Sequence, residues 1–450
     1  MSTLIGREAV VVGAGIAGLT AARAIADYFE HVVVLERDAL PADPADRAGV
    51  PQGRHVHALL AGGQQALCDL FPGFELDLAA TDAVPLRVGL DVRVERPGYD
   101  PFPQRDLGLV AYSLSRAQLE FSVRRRLEAC ANVQIRPRCR VQAVVIRPDR
   151  VAVTGVRYQD AGGRSDTRAA DLVVDASGQG APTLGLLASI GQPPPPETTI
   201  GVDLGYASAV FAVPDEVPRD WKGVFCFARA PRTSRGGVLL PLEGRRWILT
   251  LAGRHGERPP RGEDAFMTFA AGLRTPTIHD ALTSATRLSD IAHFGFPASA
   301  YRHYERLETF PRGLLPFGDA VCRFNPVYGQ GMSVAAQEAR ALGRLLATRA
   351  AARHDPLEGL AGSFFAEASA LIDTPWTMAA IPDFAYPETR GDRPANLAQT
   401  LMFARTLNKL ASQDPAVHKL VEEVQHLLKP RSVLQDPELV SRVLAAMAAS

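Results

Sequence analysis

The chain has 450 residues, of which 46% are hydrophobic, and its 49 Lys and Arg residues balance 49 Asp and Glu residues. This length is about three times a common domain, so one large domain or two interleaved domains are expected. The balanced charge excludes a global attraction to nucleic acid or to an anionic membrane surface. No uncharged apolar run reaches the roughly 20 residues of a transmembrane helix, so we expect no membrane span.

The five cysteines are odd in number and include no C-x-x-C pair. This usage indicates a reducing compartment, which we take to be the cytoplasm. It also argues against a structural zinc site, and we predict no metal centre.

The first predicted unit is a strand, turn, helix and strand that spans residues 9–37. The β-branched run 10–12 enters a G-x-G-x-x-G turn, an alanine-rich helix follows, and the second strand, 32–35, ends at Glu36. This pattern is the fingerprint of dinucleotide binding.

Each position of the fingerprint has its own physical role. Gly13 permits the tight turn, Gly15 lets backbone N–H groups approach a pyrophosphate, and Gly18 allows close packing of helix and strand. The helix N-terminus faces the phosphate charge. Glu36 can accept hydrogen bonds from an adenosine ribose, and its charge would repel a 2′-phosphate. The unit therefore fits FAD or NAD and not NADP.

A proline-rich loop and the run Gln52-Gly-Arg-His-Val-His57 come next, at the mouth of a helix predicted through Leu70. His55 and His57 favour surface or capping roles over metal binding, because no third ligand falls at helical spacing. Arg54 is the better functional candidate, as an anion contact on the cofactor.

The alternation over residues 84–94 predicts a pair of strands. Ser115 and Gln118 then form a capping box that opens a helix. Arg116 lies in the first turn of that helix, where its guanidinium and the helix N-terminus could act together on a phosphate.

Three further strands are predicted between residues 141 and 174, and the last one delivers Asp175 to a loop that contains Gly178 and Gly180. This loop is a second place where backbone can approach a ligand.

A four-proline run, residues 193–196, indicates a crossover into another domain. Alternating segments from residue 200 to residue 253 predict an antiparallel sheet, and residues 291–299 add a further strand. Aromatic residues on strands are usually core residues, but some line ligand cavities. The predicted substrate-binding residues are Tyr206, Phe225, Phe227, Trp247 and Phe294.

A third apolar strand delivers Asp319 to the sequence Pro326-Val-Tyr-Gly-Gln-Gly-Met332, and a long alanine-rich helix follows. Together, the three motifs resemble the flavoprotein monooxygenases of the aromatic-hydroxylase and squalene-epoxidase type. The order and spacing of the motifs carry this resemblance. The runs 319–332 and 50–57 look closest to the flavin-dependent olefin epoxidases of polyether biosynthesis.

The resemblance implies an FAD site in which the first motif and Arg116 hold the ADP half and Asp319 holds the ribityl or pyrophosphate part. It also places the N–H groups of residues 329–332 at the N1–C2 edge of the flavin, where reduced flavin carries negative charge. The predicted cofactor-binding residues are Gly13, Ala14, Gly15, Ile16, Ala17, Gly18, Glu36, Arg37, Arg54, Arg116, Asp175, Gly178, Asp319, Pro326, Gly329, Gly331 and Met332. The residues predicted to position the reacting flavin face are Pro326, Gly329, Gln330 and Gly331, with no protein acid or base assigned.

The implied fold class is α/β. A Rossmann-like FAD-binding domain of the glutathione-reductase type would comprise residues 1–84, 104–195 and 305–350. It would be interleaved with an antiparallel-sheet substrate domain of residues 85–103 and 196–304. Residues 351–450 are predicted to be helical, with helices separated by the proline-rich stretch 375–394.

The resemblance further implies insertion of one atom of O2 through a flavin C4a-hydroperoxide. An alkene needs no protein base for this reaction, whereas a phenol benefits from one. No acid–base pair stands out in the predicted pocket strands, so the favoured function is epoxidation of an apolar olefin in secondary metabolism.

Aromatic hydroxylation is the alternative, and a flavin-bound non-redox cyclase is the second. A halogenase is disfavoured because no W-x-W-x-I-P sequence is present. The motif departures at Ala176 and Ser177, and at Val321 and Cys322, leave the electron source open between direct NAD(P)H use and a separate flavin reductase.

Overall fold

The computed structural model describes residues 3–214, 219–351 and 355–448. The strands of these residues are β1 Gly6–Val12, β2 Phe29–Leu35, β3 Val84–Arg87, β4 Val92–Glu95, β5 Val110–Ser113, β6 Val133–Arg136, β7 Arg140–Ile146, β8 Val153–Gln159, β9 Ser165–Ala169, β10 Leu172–Asp175, β11 Glu197–Ala212, β12 Gly223–Cys226, β13 Gly236–Leu242, β14 Arg246–Arg254, β15 Ala292–Arg302, β16 Leu314–Pro316 and β17 Cys322–Arg323. The α-helices are α1 Ile16–Ala26, α2 Ala61–Leu70, α3 Phe74–Ala80, α4 Arg116–Glu128, α5 Ala181–Ser189, α6 Glu263–Ala271, α7 Thr277–Leu282, α8 Gly331–Ala350, α9 Leu360–Asp383, α10 Leu397–Gln413, α11 Pro415–Gln425 and α12 Pro437–Ala448.

The predicted Rossmann-like sheet is confirmed. In the described residues its strands run parallel in the order β16-β10-β1-β2-β6. Valine-rich runs form these strands because both faces of the sheet are buried, as parallel sheets require. Helices α1, α4 and α8 cover one face, and the small sheet β7-β8-β9 with α5 covers the other.

A second sheet, here called the large sheet, has the order β17-β15-β11-β14-β13-β12-β4 within the described ranges. It is antiparallel except for the pairing of β4 with β12. Because side chains alternate along a strand, the sheet has two distinct faces. One face packs on α6 and α7, and the other is turned toward the 55–60 segment and the end of α9.

Two local predictions about strands needed correction. Residues 84–94 do form two strands, but β3 pairs with β5 and β4 pairs with β12, so they are not partners of each other. Strand β11 begins at Glu197, shortly before the alternating region predicted from residue 200, and continues to Ala212. A Cβ at Gly201 would lie 2.9 Å from the Arg390 guanidinium, so the backbone of the strand runs close to that side chain.

Two predictions about helices also needed correction. The helix predicted to follow the 52–57 run begins at Ala61, and residues 55–60 have no regular secondary structure. Helix α9 continues through Pro375 and Pro382, where a break was expected. Pro375 is buried, and the packing of α9 on α8 offsets the backbone hydrogen bond that a proline removes.

The C-terminal region is helical, as predicted. Phe364 of α9 stacks on Phe317 at 5.5 Å, and helices α10, α11 and α12 share an apolar cluster with Phe102. Among the helices of the described residues, none has the length and apolarity needed to cross a bilayer.

Candidate functional site

The three glycine-and-acid motifs meet at one place. A Cβ on Gly13 of the first motif would lie 2.8 Å from the Ala176 carbonyl oxygen of the second. A Cβ on Gly180 of the second would lie 3.3 Å from Ala320 of the third. A Cβ on Gly318 would lie 2.7 Å from Ala17, which returns to the first motif. These contacts bring together three segments that are separated by about 160 and about 140 residues along the chain.

The first turn has the geometry of a phosphate-binding site. Gly13 has φ 98°, and a Cβ on Gly18 would lie 1.9 Å from the Gly13 carbonyl oxygen, so neither position accepts a side chain. Gly15 precedes α1, and no side chain of the described residues caps this N-terminus. Ala14 and Ile16 are buried and therefore offer backbone groups only. The turn leaves N–H groups available to an anion.

Glu36 lies against this turn, as the sequence predicts. Its carboxylate accepts hydrogen bonds from the backbone N–H of Ala14 (2.7 Å) and of Asp38 (2.9 Å). The acid is buried, and the Arg47 guanidinium lies 3.1 Å from it.

Sequence reasoning missed Arg47, which the structure places among three acidic side chains, one of which is Glu36. The guanidinium also contacts Asp38 (3.1 Å) and Glu120 (2.6 Å), and it donates to the Ala14 carbonyl (3.1 Å). Burial by itself lowers the pKa of Arg47, but Glu120, Glu36 and Asp38 outweigh that effect and raise it. The only sequence signal was an arginine in the proline-rich loop, and the sequence does not show that this loop folds back.

The other predicted arginines differ in their placement. Arg37 is exposed, and Arg54 has an exposed side chain 3.5 Å from Asp46. Arg116 is half-buried in the first turn of α4, 3.3 Å from Glu120. The structure thus brings Arg116 to the acidic group around Arg47 and leaves Arg37 and Arg54 at the surface.

Ser115 caps α4 as predicted, because its Oγ accepts from the Gln118 N–H at 3.1 Å. The reciprocal contact of the capping box is not made. The side chain of Gln118 donates to Ser122, and the Ser115 N–H donates to the carboxylate of Glu243 (2.9 Å). The hairpin between β13 and β14 therefore helps to position the start of α4.

Asp175 organises its own loop. One carboxylate oxygen accepts from the Ser177 N–H (3.1 Å), and the other accepts from the N–H (3.0 Å) and hydroxyl (2.7 Å) of Thr183. Gly178 has φ 85° and open space where a Cβ would be. The loop can approach a ligand through Gly178, while the Asp175 carboxylate is engaged by the protein.

Asp319 lies in a tight turn between β16 and β17, next to the start of α8. A Cβ on Gly331 would be 3.7 Å from its carboxylate. Burial raises the pKa of Asp319 to about 6, although the charges of Arg116 and Arg323 oppose the shift. Arg116 and Asp319 are therefore electrostatic neighbours on the predicted path of the cofactor.

The residues predicted to position the flavin lie in a loop that enters α8. This loop, residues 325–330, is here called the flavin-positioning loop. Gly329 has φ 66°, and a Cβ there would lie 3.1 Å from the Ala58 Cβ, so this loop abuts the 55–60 segment. No side chain from the described ranges caps α8. Gln330 is buried, Pro326 and Met332 are half-buried, and the helix N-terminus can face negative charge.

A buried network that sequence reasoning missed holds this loop in place. Asp383, at the end of α9, accepts from the Asn325 amide (3.0 Å) and from the Tyr328 hydroxyl (2.8 Å). Arg254 of β14 lies 2.6 Å from the same carboxylate. The C-terminal region thus contributes directly to the candidate site.

The predicted substrate-binding aromatics are divided between the two faces of the large sheet. Tyr206 and Phe294 share an apolar cluster with Val327 of the flavin-positioning loop. Phe225 lies on the same face, in a neighbouring cluster. Trp247 lies on the opposite face among residues that pack on α6, and Phe227 is 43% exposed. The structure therefore does not bring Trp247 or Phe227 to the loop.

The comparisons with known proteins agree with this geometry. Protein Rv3254 of Mycobacterium tuberculosis (strain ATCC 25618 / H37Rv) is 37% identical over 414 residues, which cover 86% of this chain and 84% of the relative. The flavin-dependent brominase Bmp2 is similar in fold, with TM-score 0.68 at 15% identity over 94% of each chain. PqsL, a probable FAD-dependent monooxygenase from Pseudomonas aeruginosa, has TM-score 0.60 at 18% identity, over 84% of this chain and 97% of PqsL. Because the model of the FAD binding domain family matches residues 7–358, the chain belongs to that family and its cofactor is FAD.

Proposed function

We propose that the protein is an FAD-dependent monooxygenase that transfers one oxygen atom from O2 to an apolar substrate. The observation that carries the proposal is the contact of the flavin-positioning loop with the aromatic face of the large sheet. Val327 packs in one cluster with Tyr206, Phe294 and Phe296, directly before the uncapped N-terminus of α8. A substrate on this face would lie next to the cofactor. Bound FAD, once reduced, supplies the oxygen-activating chemistry.

The surroundings of this face favour a dry reaction site. Trp376, Ala380 and Phe384 of the α9 end join the same cluster, as does Leu397 of α10. Exclusion of water from a reaction site prevents side reactions such as the hydrolysis of reactive intermediates. The C-terminal helices thus act as a cover for the substrate face in this proposal.

Within monooxygenation, we favour epoxidation of an olefin. The buried carboxylate that contacts the flavin-positioning loop, Asp383, is engaged by Arg254, Tyr328 and Asn325 and is not available as a base. An alkene is itself the nucleophile and requires no base. The sequence resemblance to olefin epoxidases supports the same choice.

Aromatic hydroxylation is the second candidate, and His55 favours it. The ring is buried between Tyr206 and Phe294, with centroid distances of 5.6 and 5.8 Å. Burial lowers the pKa of His55 to about 4, and the charges of His293 and Arg54 add to this shift. A neutral imidazole at this place can hydrogen-bond to a phenolic oxygen at neutral pH.

Oxygen uptake tests the proposal. FAD-loaded protein is supplied with olefins or phenols and with NAD(P)H, in the presence or absence of an added flavin reductase. Substrate-dependent O2 consumption with one oxygen atom in the product supports a monooxygenase, and the product distinguishes an epoxide from a phenol. Product formed without O2 would instead indicate a reductase or a non-redox cyclase. A requirement for the added reductase would identify the electron source.

A further inference from the structure

His55 is held in a defined position on the face of the large sheet that carries Tyr206 and Phe294. The residue is 4% exposed and lies in the 55–60 segment, which has no regular secondary structure. The next residue, Val56, donates its N–H to the Thr250 hydroxyl of β14 at 2.8 Å. His55 Nδ1 is 2.7 Å from the Ser208 hydroxyl of β11. His55 and Val56 are therefore hydrogen-bonded to two strands of the sheet, and the imidazole is shielded from solvent.

A chain of hydroxyl groups determines which ring nitrogen carries the hydrogen. The Thr250 and Ser208 oxygens are 2.6 Å apart. If Thr250 donates to Ser208 and Ser208 donates to His55 Nδ1, every hydroxyl hydrogen in the chain has an acceptor. The reverse direction leaves both the Thr250 hydrogen and a hydrogen-free Nε2 without partners among the described residues, whereas the first direction leaves only the Nε2 hydrogen unpaired. Nδ1 is then the acceptor, and Nε2 carries the hydrogen.

The outer nitrogen of His55 and the hydroxyl of its neighbour Tyr206 lack hydrogen-bond partners within the described residues. His55 Nε2 is buried and has no hydrogen-bond partner in the part of the chain that the structure describes, and the same holds for the hydroxyl of the adjacent Tyr206. Burial raises the pKa of Tyr206 well above its ordinary value, so this hydroxyl keeps its hydrogen. Unpaired buried donors are costly, and two on neighbouring rings call for a ligand that pairs with them.

We infer that His55 Nε2 and the Tyr206 hydroxyl form a polar end of the substrate site and bind a hydroxyl, phenolic or carbonyl oxygen of an otherwise apolar substrate. This inference rests on the proposed function, because it places the substrate on the face that adjoins the flavin-positioning loop. It narrows the proposed substrate class from apolar molecules in general to apolar molecules that carry one oxygen acceptor. Phe294 and Val327 provide apolar contacts in the same region.

Ligand binding to the FAD-loaded protein tests the inference without turnover. The probes are phenol with toluene and 2-naphthol with 2-methylnaphthalene, because each pair exchanges a hydroxyl for a methyl group of similar size. Changes in flavin absorbance report binding. We expect the wild-type protein to bind at least one hydroxylated probe roughly tenfold more tightly than its partner, as one satisfied buried hydrogen bond predicts.

Two variants and one control identify the groups responsible. His55→Phe keeps an aromatic ring and removes Nε2–H, and Tyr206→Phe removes only the hydroxyl. We expect His55→Phe to abolish the hydroxyl preference and Tyr206→Phe to reduce it. His279→Phe makes the same exchange on the surface helix α7 and should retain the preference. FAD affinity should be unchanged in all three variants. Loss of FAD affinity in His55→Phe with an unchanged hydroxyl preference would show that His55 serves the flavin and would overturn the inference.

A second measurement does not depend on any variant. NMR of protein with 15N-labelled histidine should show the Nε2–H tautomer for His55 at neutral pH. The Nδ1–H tautomer would overturn the inference, as would the absence of a hydroxyl preference in both probe pairs, including the case in which no probe binds. Failure of the proposed function is distinguishable, because the protein would then show the hydroxyl preference but consume no O2 with any substrate.

Discussion

Glu338 of α8 accepts a hydrogen bond from the backbone N–H of Gly318 at 3.0 Å. This contact ties the long helix after the third motif to the turn that presents Asp319. The second oxygen of Glu338 is buried and has no hydrogen-bond partner within the described residues. An acid in such a position is more stable when it is neutral, because an ionised carboxylate would lose its hydration without compensation.

We therefore expect Glu338→Gln to change how stability depends on pH. Burial raises the pKa of Glu338 from 4.5 to about 8, against the Gly318 hydrogen bond, and the charge of Asp319 raises it further. Stability that the neutral acid contributes below about pH 5 is thus lost as pH rises toward 8. The free energy of unfolding of the variant, minus that of wild type, should increase by up to about 1.4 kcal/mol per pH unit within this window.

Urea unfolding from pH 5 to pH 8, at equal flavin content, measures this difference. Asp319 titrates in both proteins, so much of its contribution cancels. Parallel stability curves for the two proteins would show that Glu338 is ionised in the folded state at neutral pH.

Arg47→Ala should weaken FAD binding about 10-fold or more, because the guanidinium holds the glycine turn through Ala14 and neutralises the buried acids beside it. Without it, unpaired carboxylates would face the anionic pyrophosphate. A Cβ on Gly15 would lie 3.9 Å from this guanidinium. Arg54→Ala is the matched control, since that side chain is exposed, and it should bind FAD like wild type. Quenching of flavin fluorescence during titration gives both affinities. Equal losses in the two variants would contradict a specific role for Arg47.

Gly18→Ala should prevent FAD binding and destabilise the fold by about 1 to 3 kcal/mol. The added Cβ would lie 1.9 Å from the Gly13 carbonyl oxygen, so the turn or α1 must shift. Gly185→Ala is the control, because this exposed position in α5 has open space around it and alanine favours a helix. The flavin content after purification and the thermal midpoint report the two effects. Normal flavin content in Gly18→Ala would refute the close helix–turn contact.

Asp383→Ala should destabilise the protein by about 3 to 5 kcal/mol, because it leaves the buried charge of Arg254 unpaired. It also removes the acceptor for Asn325 and Tyr328, so FAD affinity should fall as the flavin-positioning loop loses its support. Asp373→Ala on the same helix breaks only a surface pair with Arg431 and should cost less than about 1 kcal/mol. Thermal unfolding and FAD titration of both variants check the prediction. Similar effects of the two substitutions would show that the network is not an anchor.

The sequence alone determined the parts of the site that depend on local backbone requirements. Gly13, Gly18 and Glu36 could be recognised because the turn, the close packing and the strand-end acid each require one residue type at a fixed spacing. The same holds for the Asp319 turn and the start of α8. These requirements act over a few residues, so they leave a readable pattern.

Only the tertiary structure decided which distant residues complete the site. Arg47 and Asp383 carry no local signal, since their roles depend on a loop that folds back and on the end of a helix from the C-terminal region. His55, for which the sequence favours a surface or capping role, is instead buried in a segment docked on a sheet. Alternation along β14 showed that Trp247 would face one side of the sheet, but not which side faces the cofactor. Contacts between distant segments are set by packing of the whole chain, and a single sequence does not state how that packing is arranged.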